Sequence, residues 1–180
     1  RMTERTRCVF INSPSIPTGN LLSGERMQEI VDLGLPVVSD EIYHGLVYGE
    51  GERERSILEF TDNSFVFNGF SKLYAMTGLR LGYLIAPPDY MRTLQKLAQN
   101  FFISANTVSQ YAGIAALAKC HDEVEEMKRI YNQRRVRIIE RLKSMGFGIT
   151  VEPRGAFYVL ANVRFLCEGL QCSSYDLAFD

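Results

Sequence analysis

Three short apolar runs, each breaking off into a polar cluster, constrain the fold of this chain more than any other feature. Arg7 to Asn12 leads into Ser13-Pro-Ser-Ile-Pro-Thr-Gly19, Leu35 to Ser39 into Asp40-Glu-Ile-Tyr43, and Ser64 to Asn68 into Gly69-Phe-Ser-Lys72. Runs of this length and polarity fit buried strands rather than helices. A fourth, Leu81 to Ala86, is stopped by Pro87-Pro88.

Between the first two runs, Ser23 can cap a helix that continues through Leu33 and ends at Gly34. Its apolar positions Met27, Ile30 and Val31 share one face. Strand, helix and strand at these intervals predict an α/β fold with a mostly parallel sheet flanked by helices. From Asp89 onward the pattern turns helical. The stretch His121 to Met145 carries acids in its first turns and Arg134, Arg135, Arg137, Arg141 and Lys143 later, an order that complements the helix dipole.

After Gly146, strands are expected at Ile149–Val151 and Ala156–Ala161, the start of a small α+β domain. The expected division is 1–120 as a large α/β domain and 121–180 as a linking helix with part of the small one. Ser173 to Asp180 reads as a helix start with a serine cap, and an arginine stands before the first methionine. Both ends therefore read as cuts through a longer chain.

Composition narrows the function. Twenty Lys and Arg against twenty-one Asp and Glu leave no phosphate-neutralising excess, so nucleic acid is not the expected partner. No apolar run approaches the ~20 residues of a membrane span. The four cysteines have no Cys-x-x-Cys spacing, and the amino terminus lacks the apolar stretch of a secretory signal, so the expected compartment is the cytoplasm. His44 and His121 have no partner at metal-ligand spacing.

In open parallel sheets, ligands collect beyond the carboxyl ends of the strands. There the topology would gather Asp40, Tyr43 and Lys72. Singly, each is an ordinary turn, packing or surface residue. Together they form an ordered set: Pro17-Thr-Gly19, Asp40-Glu-Ile-Tyr43, Ser71-Lys72, Thr77-Gly-Leu-Arg-Leu-Gly-Tyr83 and the turn Gly155-Ala-Phe-Tyr158. In order and spacing this set resembles the class I/II aminotransferases of fold type I, which depend on pyridoxal 5'-phosphate.

The resemblance implies a transfer of an amino group between an amino acid and a 2-oxo acid, through a Schiff base on Lys72. Lys72 would then act as general base, Asp40 would hold the pyridine nitrogen protonated, and Tyr43 would donate to the ring hydroxyl. Ser71 and Arg80 would bind the phosphate, and Glu41 would be structural. A homodimer is implied in the same way. A carbon–sulfur lyase of the same fold, or a catalytically impaired remnant, are the alternatives. Two positions depart from the pattern. Ile16 stands where the family usually has an asparagine reaching the ring hydroxyl, and Gly69 stands where it often has a hydroxyl for the phosphate.

Overall fold

The computed structural model describes residues 2–49 and 51–179. Four strands form one sheet in the order β1 (Val9–Asn12), β2 (Val37–Asp40), β3 (Ser64–Gly69) and β4 (Gly82–Ile85). The first three are parallel, with Asn12 opposite Asp40 and Asp40 opposite Phe67. Their polar carboxyl ends are thus brought side by side. The last strand runs antiparallel to β3, pairing Gly69 with Gly82. That pairing is close: a Cβ on Gly69 would stand 2.9 Å from the Leu81 carbonyl oxygen, so a hydroxyl-bearing residue there would force the strands apart.

Helix α1 (Gly24–Val31) covers one sheet face. The Ser23 side chain accepts from the Arg26 amide, and Gly34, at φ +70°, follows the helix end. Met27 is fully buried against Ile11, Val37, Ile57 and Val66, with Ile30 and Val31 beside it. Burying a side chain of that size contributes about 1.5–3 kcal/mol. The helix ends two residues before the expected Leu33.

The carboxyl-terminal half is helical: α2 (Pro88–Phe101), α3 (Thr107–Lys119) and α4 (His121–Ser144), then the short α5 (Arg164–Leu170) and α6 (Asp176–Phe179). Along α4, Glu125 pairs with Lys128 and Glu126 with Arg129, on an exposed face. Ahead of α6, the Ser173 hydroxyl accepts from the Asp176 amide, the cap expected from the sequence. Asp180 lies outside the described residues.

The strands expected at Ile149–Val151 and Ala156–Ala161 do not form. Only isolated bridges occur, Gly148 with Asn162 and Val47 with Gly155. Apolar alternation makes a strand only where a neighbour supplies a ladder. Here the 154–156 backbone pairs with 46–48 instead, through Tyr48 N to Arg154 O at 2.8 Å and Ala156 N to Leu46 O at 2.9 Å.

That pairing builds a second core from Tyr43, Leu46 and Ala156, with Met127 and Tyr131 of α4 and Tyr158 packed against it. No helix among the described residues is long and apolar enough to cross a membrane, and no group of side chains among them could hold a metal ion.

Candidate active site

At the end of β2 the chain turns sharply. The Asp40 carboxylate accepts from the Ile42 amide at 3.1 Å, and Glu41 is buried beneath the turn. One oxygen of Glu41 accepts from the Ser39 hydroxyl (3.0 Å), the Ser56 hydroxyl (3.1 Å) and the Ile57 amide (3.0 Å). Its other oxygen lies 3.3 Å from Nδ1 of His44. A buried carboxylate this well supplied with donors fixes the turn, which agrees with a structural role for Glu41.

Tyr43 is therefore driven inward, 1% exposed, and its hydroxyl lies 2.9 Å from that of Tyr158. Burial above all, with the Asp40 charge adding to it, pushes the Tyr43 phenol well above its usual range, so it is a neutral hydroxyl at physiological pH. Lys72, just after β3, reaches over the same aromatic group. Its Nζ is 5.8 Å from the Tyr43 ring centre and 5.6 Å from that of Phe157. Phe157 meets Tyr43 edge-on at 5.2 Å. An amine, a phenol and a carboxylate thus share one neighbourhood. Asp40 has no ion-pair partner among the described residues, which leaves its charge for a ligand.

The other two expected residues make no hydrogen bond or ion pair with this group among the described residues. Arg80 is exposed, adopts a left-handed backbone (φ 50°), and donates to the Thr77 carbonyl at 2.8 Å. No hydrogen bond or ion pair among the described residues joins it to Lys72 or Asp40. Ser71 is half-buried, and its hydroxyl makes no hydrogen bond among them.

Ile16 is 48% exposed at the rim of the loop after β1. Its amide donates to Oδ1 of Asn12 at 2.8 Å, while Nδ2 of Asn12 donates to the Asp40 carbonyl at 3.0 Å. Asn12 thereby ties the first polar loop to the second.

The sequence of the family described as aminotransferase class I and II matches residues 1–170. The chain belongs to that family. It is 41% identical over 167 residues to the (5-formylfuran-3-yl)methyl phosphate transaminase of Methanocaldococcus jannaschii, covering 90% of this chain and 44% of that protein. It is 35% identical over 183 residues to the aspartate aminotransferase of Geobacillus stearothermophilus, covering 97% and 46%. The crystal structure of the aromatic aminotransferase from Pyrococcus horikoshii superposes with a TM-score of 0.85 at 37% identity, over 91% of this chain and 45% of that one. The chain thus spans a little under half the length of these relatives.

Class I and II aminotransferases are pyridoxal-phosphate enzymes. The residues of this member fit that cofactor: an amine for its aldehyde, a carboxylate without an ion-pair partner among the described residues for its ring nitrogen, and a neutral phenol for its ring hydroxyl. Two residues that join this neighbourhood, Asn12 and Tyr158, are not among the site residues the sequence predicts. An amide at the carboxyl end of a buried strand was the available signal for the first. For the second it was an aromatic pair directly after a Gly-Ala turn.

Proposed function

We propose that the protein is a pyridoxal-phosphate-dependent aminotransferase that moves an amino group between an amino acid and a 2-oxo acid. The observation that carries this reading is the placement of the Lys72 ammonium over the Tyr43 and Phe157 rings, close to the end of the strand that carries Asp40. The bound cofactor would supply an electron sink for negative charge developing at the substrate α-carbon.

Lys72 would be the amine that holds the cofactor's aldehyde and, when free, the base that takes up and returns a proton at the substrate α-carbon. The rings of Tyr43 and Phe157 exclude water from one side of it. Asp40 would hold the proton on the ring nitrogen, with the Ile42 amide keeping its carboxylate in place. Tyr43, neutral because buried, would donate to the ring hydroxyl oxygen. Ser71 and Arg80 would bind the phosphate, Arg80 after releasing the Thr77 carbonyl.

In the same reading, 1–120 is part of a large cofactor-binding domain, and α4 leads into part of a small one. The whole protein would be a homodimer of the cytoplasm. A catalytically impaired remnant is the second reading, favoured by Ile16, whose side chain has no hydrogen-bonding group.

One experiment separates the two. Pyridoxal phosphate is added, the adduct is fixed with borohydride, and the labelled peptide is mapped. A single label on Lys72, absent in Lys72→Ala, is expected. Labels scattered over surface lysines would overturn the reading. Transamination itself is read as 2-oxo acid formed with a matching amino-acid product; release of ammonia and sulfide would instead mark a lyase.

A further inference from the structure

The Tyr43 hydroxyl has one hydrogen-bond partner among the described residues, and it is another phenol. Each phenol carries a single proton and can also accept. Only one of the two protons can lie along the 2.9 Å line between Tyr43 and Tyr158. If Tyr43 donates, nothing remains for it to give a ligand. If Tyr158 donates, the Tyr43 proton is not used in that bond and remains available. Donation into the Tyr43 oxygen also polarises its O–H and makes it the stronger donor.

The backbone beneath Tyr158 is built to hold it there. Ala156 is fully buried and adopts a left-handed conformation (φ 57°), which disfavours any residue bearing a Cβ. Hydrogen bonds hold that kink in place. Ala156 N donates to Leu46 O, and the amides of Arg154 and Gly155 both donate to Gly19 O, all at 2.9 Å. The Tyr158 ring packs on Phe157 at 5.0 Å and on Tyr43 at 5.8 Å, so its hydroxyl has little freedom to turn elsewhere.

We infer that Tyr158 is a positioning residue that donates to the Tyr43 hydroxyl oxygen and so commits the single Tyr43 proton to the cofactor's ring oxygen. This rests on the reading of Lys72 and Tyr43 as cofactor-facing. Tyr158 acts through Tyr43.

The test uses Tyr158→Phe, Tyr43→Phe and the double variant in the full chain, with pyridoxal phosphate as the probe. Tyr158→Phe keeps the ring and its packing and removes only the hydroxyl. A donor to the ring oxygen favours the form in which that oxygen bears full negative charge, so weaker donation raises the midpoint of the visible absorbance titration. Tyr158→Phe is expected to raise that midpoint by less than Tyr43→Phe does. It should also raise the cofactor dissociation constant about 2–10-fold, the range of one neutral hydrogen bond. In the Tyr43→Phe background it should change neither quantity further.

An unmoved midpoint in Tyr158→Phe, with Lys72 still labelled, would overturn the inference alone. A Tyr158 effect that persists without the Tyr43 hydroxyl would also overturn it, since the effect would then be direct. No label on Lys72 in the parent protein would overturn the proposed function and this inference with it.

Discussion

The Gly155 amide donates to the Gly19 carbonyl at 2.9 Å, joining the loop after the first strand to a turn near the other end of the chain. The Arg154 amide donates to the same oxygen at 2.9 Å, so Gly19 clamps the turn that presents Phe157 and Tyr158 to Tyr43 and Lys72. This accounts for two of the motifs at once. Pro17-Thr-Gly19 and Gly155-Ala-Phe-Tyr158 are the two halves of one backbone clasp.

The clasp leaves no room for a side chain at Gly19. A Cβ there would lie 2.4 Å from Pro153 Cβ and 2.7 Å from the Gly155 carbonyl oxygen, on a backbone at φ +68°. Gly19→Ala is therefore expected to lose about 2–4 kcal/mol from overpacking and left-handed strain together. Urea denaturation should show a lower midpoint at an unchanged slope. A midpoint equal to that of the parent would mean that the two loops are not held together in solution.

Glu41 should prove a stability residue. Glu41→Ala leaves the Ser39 and Ser56 hydroxyls and the Ile57 amide without their shared acceptor, at an expected cost of about 2–5 kcal/mol. Glu41→Gln retains a carbonyl oxygen for those donors and should cost roughly half as much. Thermal melts of the two variants should fall in that order; the reverse order would contradict this account of the turn.

Ile16→Asn tests the position where this chain departs from its family. The Ile16 side chain is half exposed, and its backbone is held by Asn12, so the loop can accept the change without repacking. One added hydrogen bond to the cofactor should tighten pyridoxal phosphate binding about 5–10-fold in an absorbance titration. Unchanged affinity would show that residue 16 does not face the ring.

Alkaline pH should weaken the fold through Tyr43. Its phenol is held above the ordinary value chiefly by burial, with the Asp40 charge adding to it, so the folded chain binds that proton more tightly than the unfolded chain. The stabilisation is whole below about pH 10, where free tyrosine titrates, and drains as pH rises beyond it towards the raised folded value. Melting temperature followed above pH 9 should decline, and Tyr43→Phe should flatten part of that decline. An identical slope in the variant would remove Tyr43 as the cause. Tyr48, buried and also shifted upward, accounts for a further share.

Much of the scaffold was legible in the sequence because its signals are local. The short apolar runs became the first three strands, Ser23 caps α1, and α4 spans the expected stretch. Asp40, Tyr43 and Lys72 could be placed together because parallel strands line up their carboxyl ends. The 149–151 and 156–161 segments form no strand, since a strand exists only with a partner, and partners are not encoded within the segment. The reversed direction of the fourth strand and the turn of Arg80 onto the Thr77 carbonyl likewise depend on the surrounding backbone.

Sequence by itself determined which residues make strands and helices, and which amine, acid and phenol stand at the strand ends, because capping and hydrophobic period act over a few neighbouring residues. Tertiary structure alone decided that Gly19 grips Gly155 and that the Tyr158 hydroxyl lies against that of Tyr43. Those contacts join segments far apart in the chain. Hydrogen bonds act only at short range, so packing of the whole chain has to bring such groups together before they can interact.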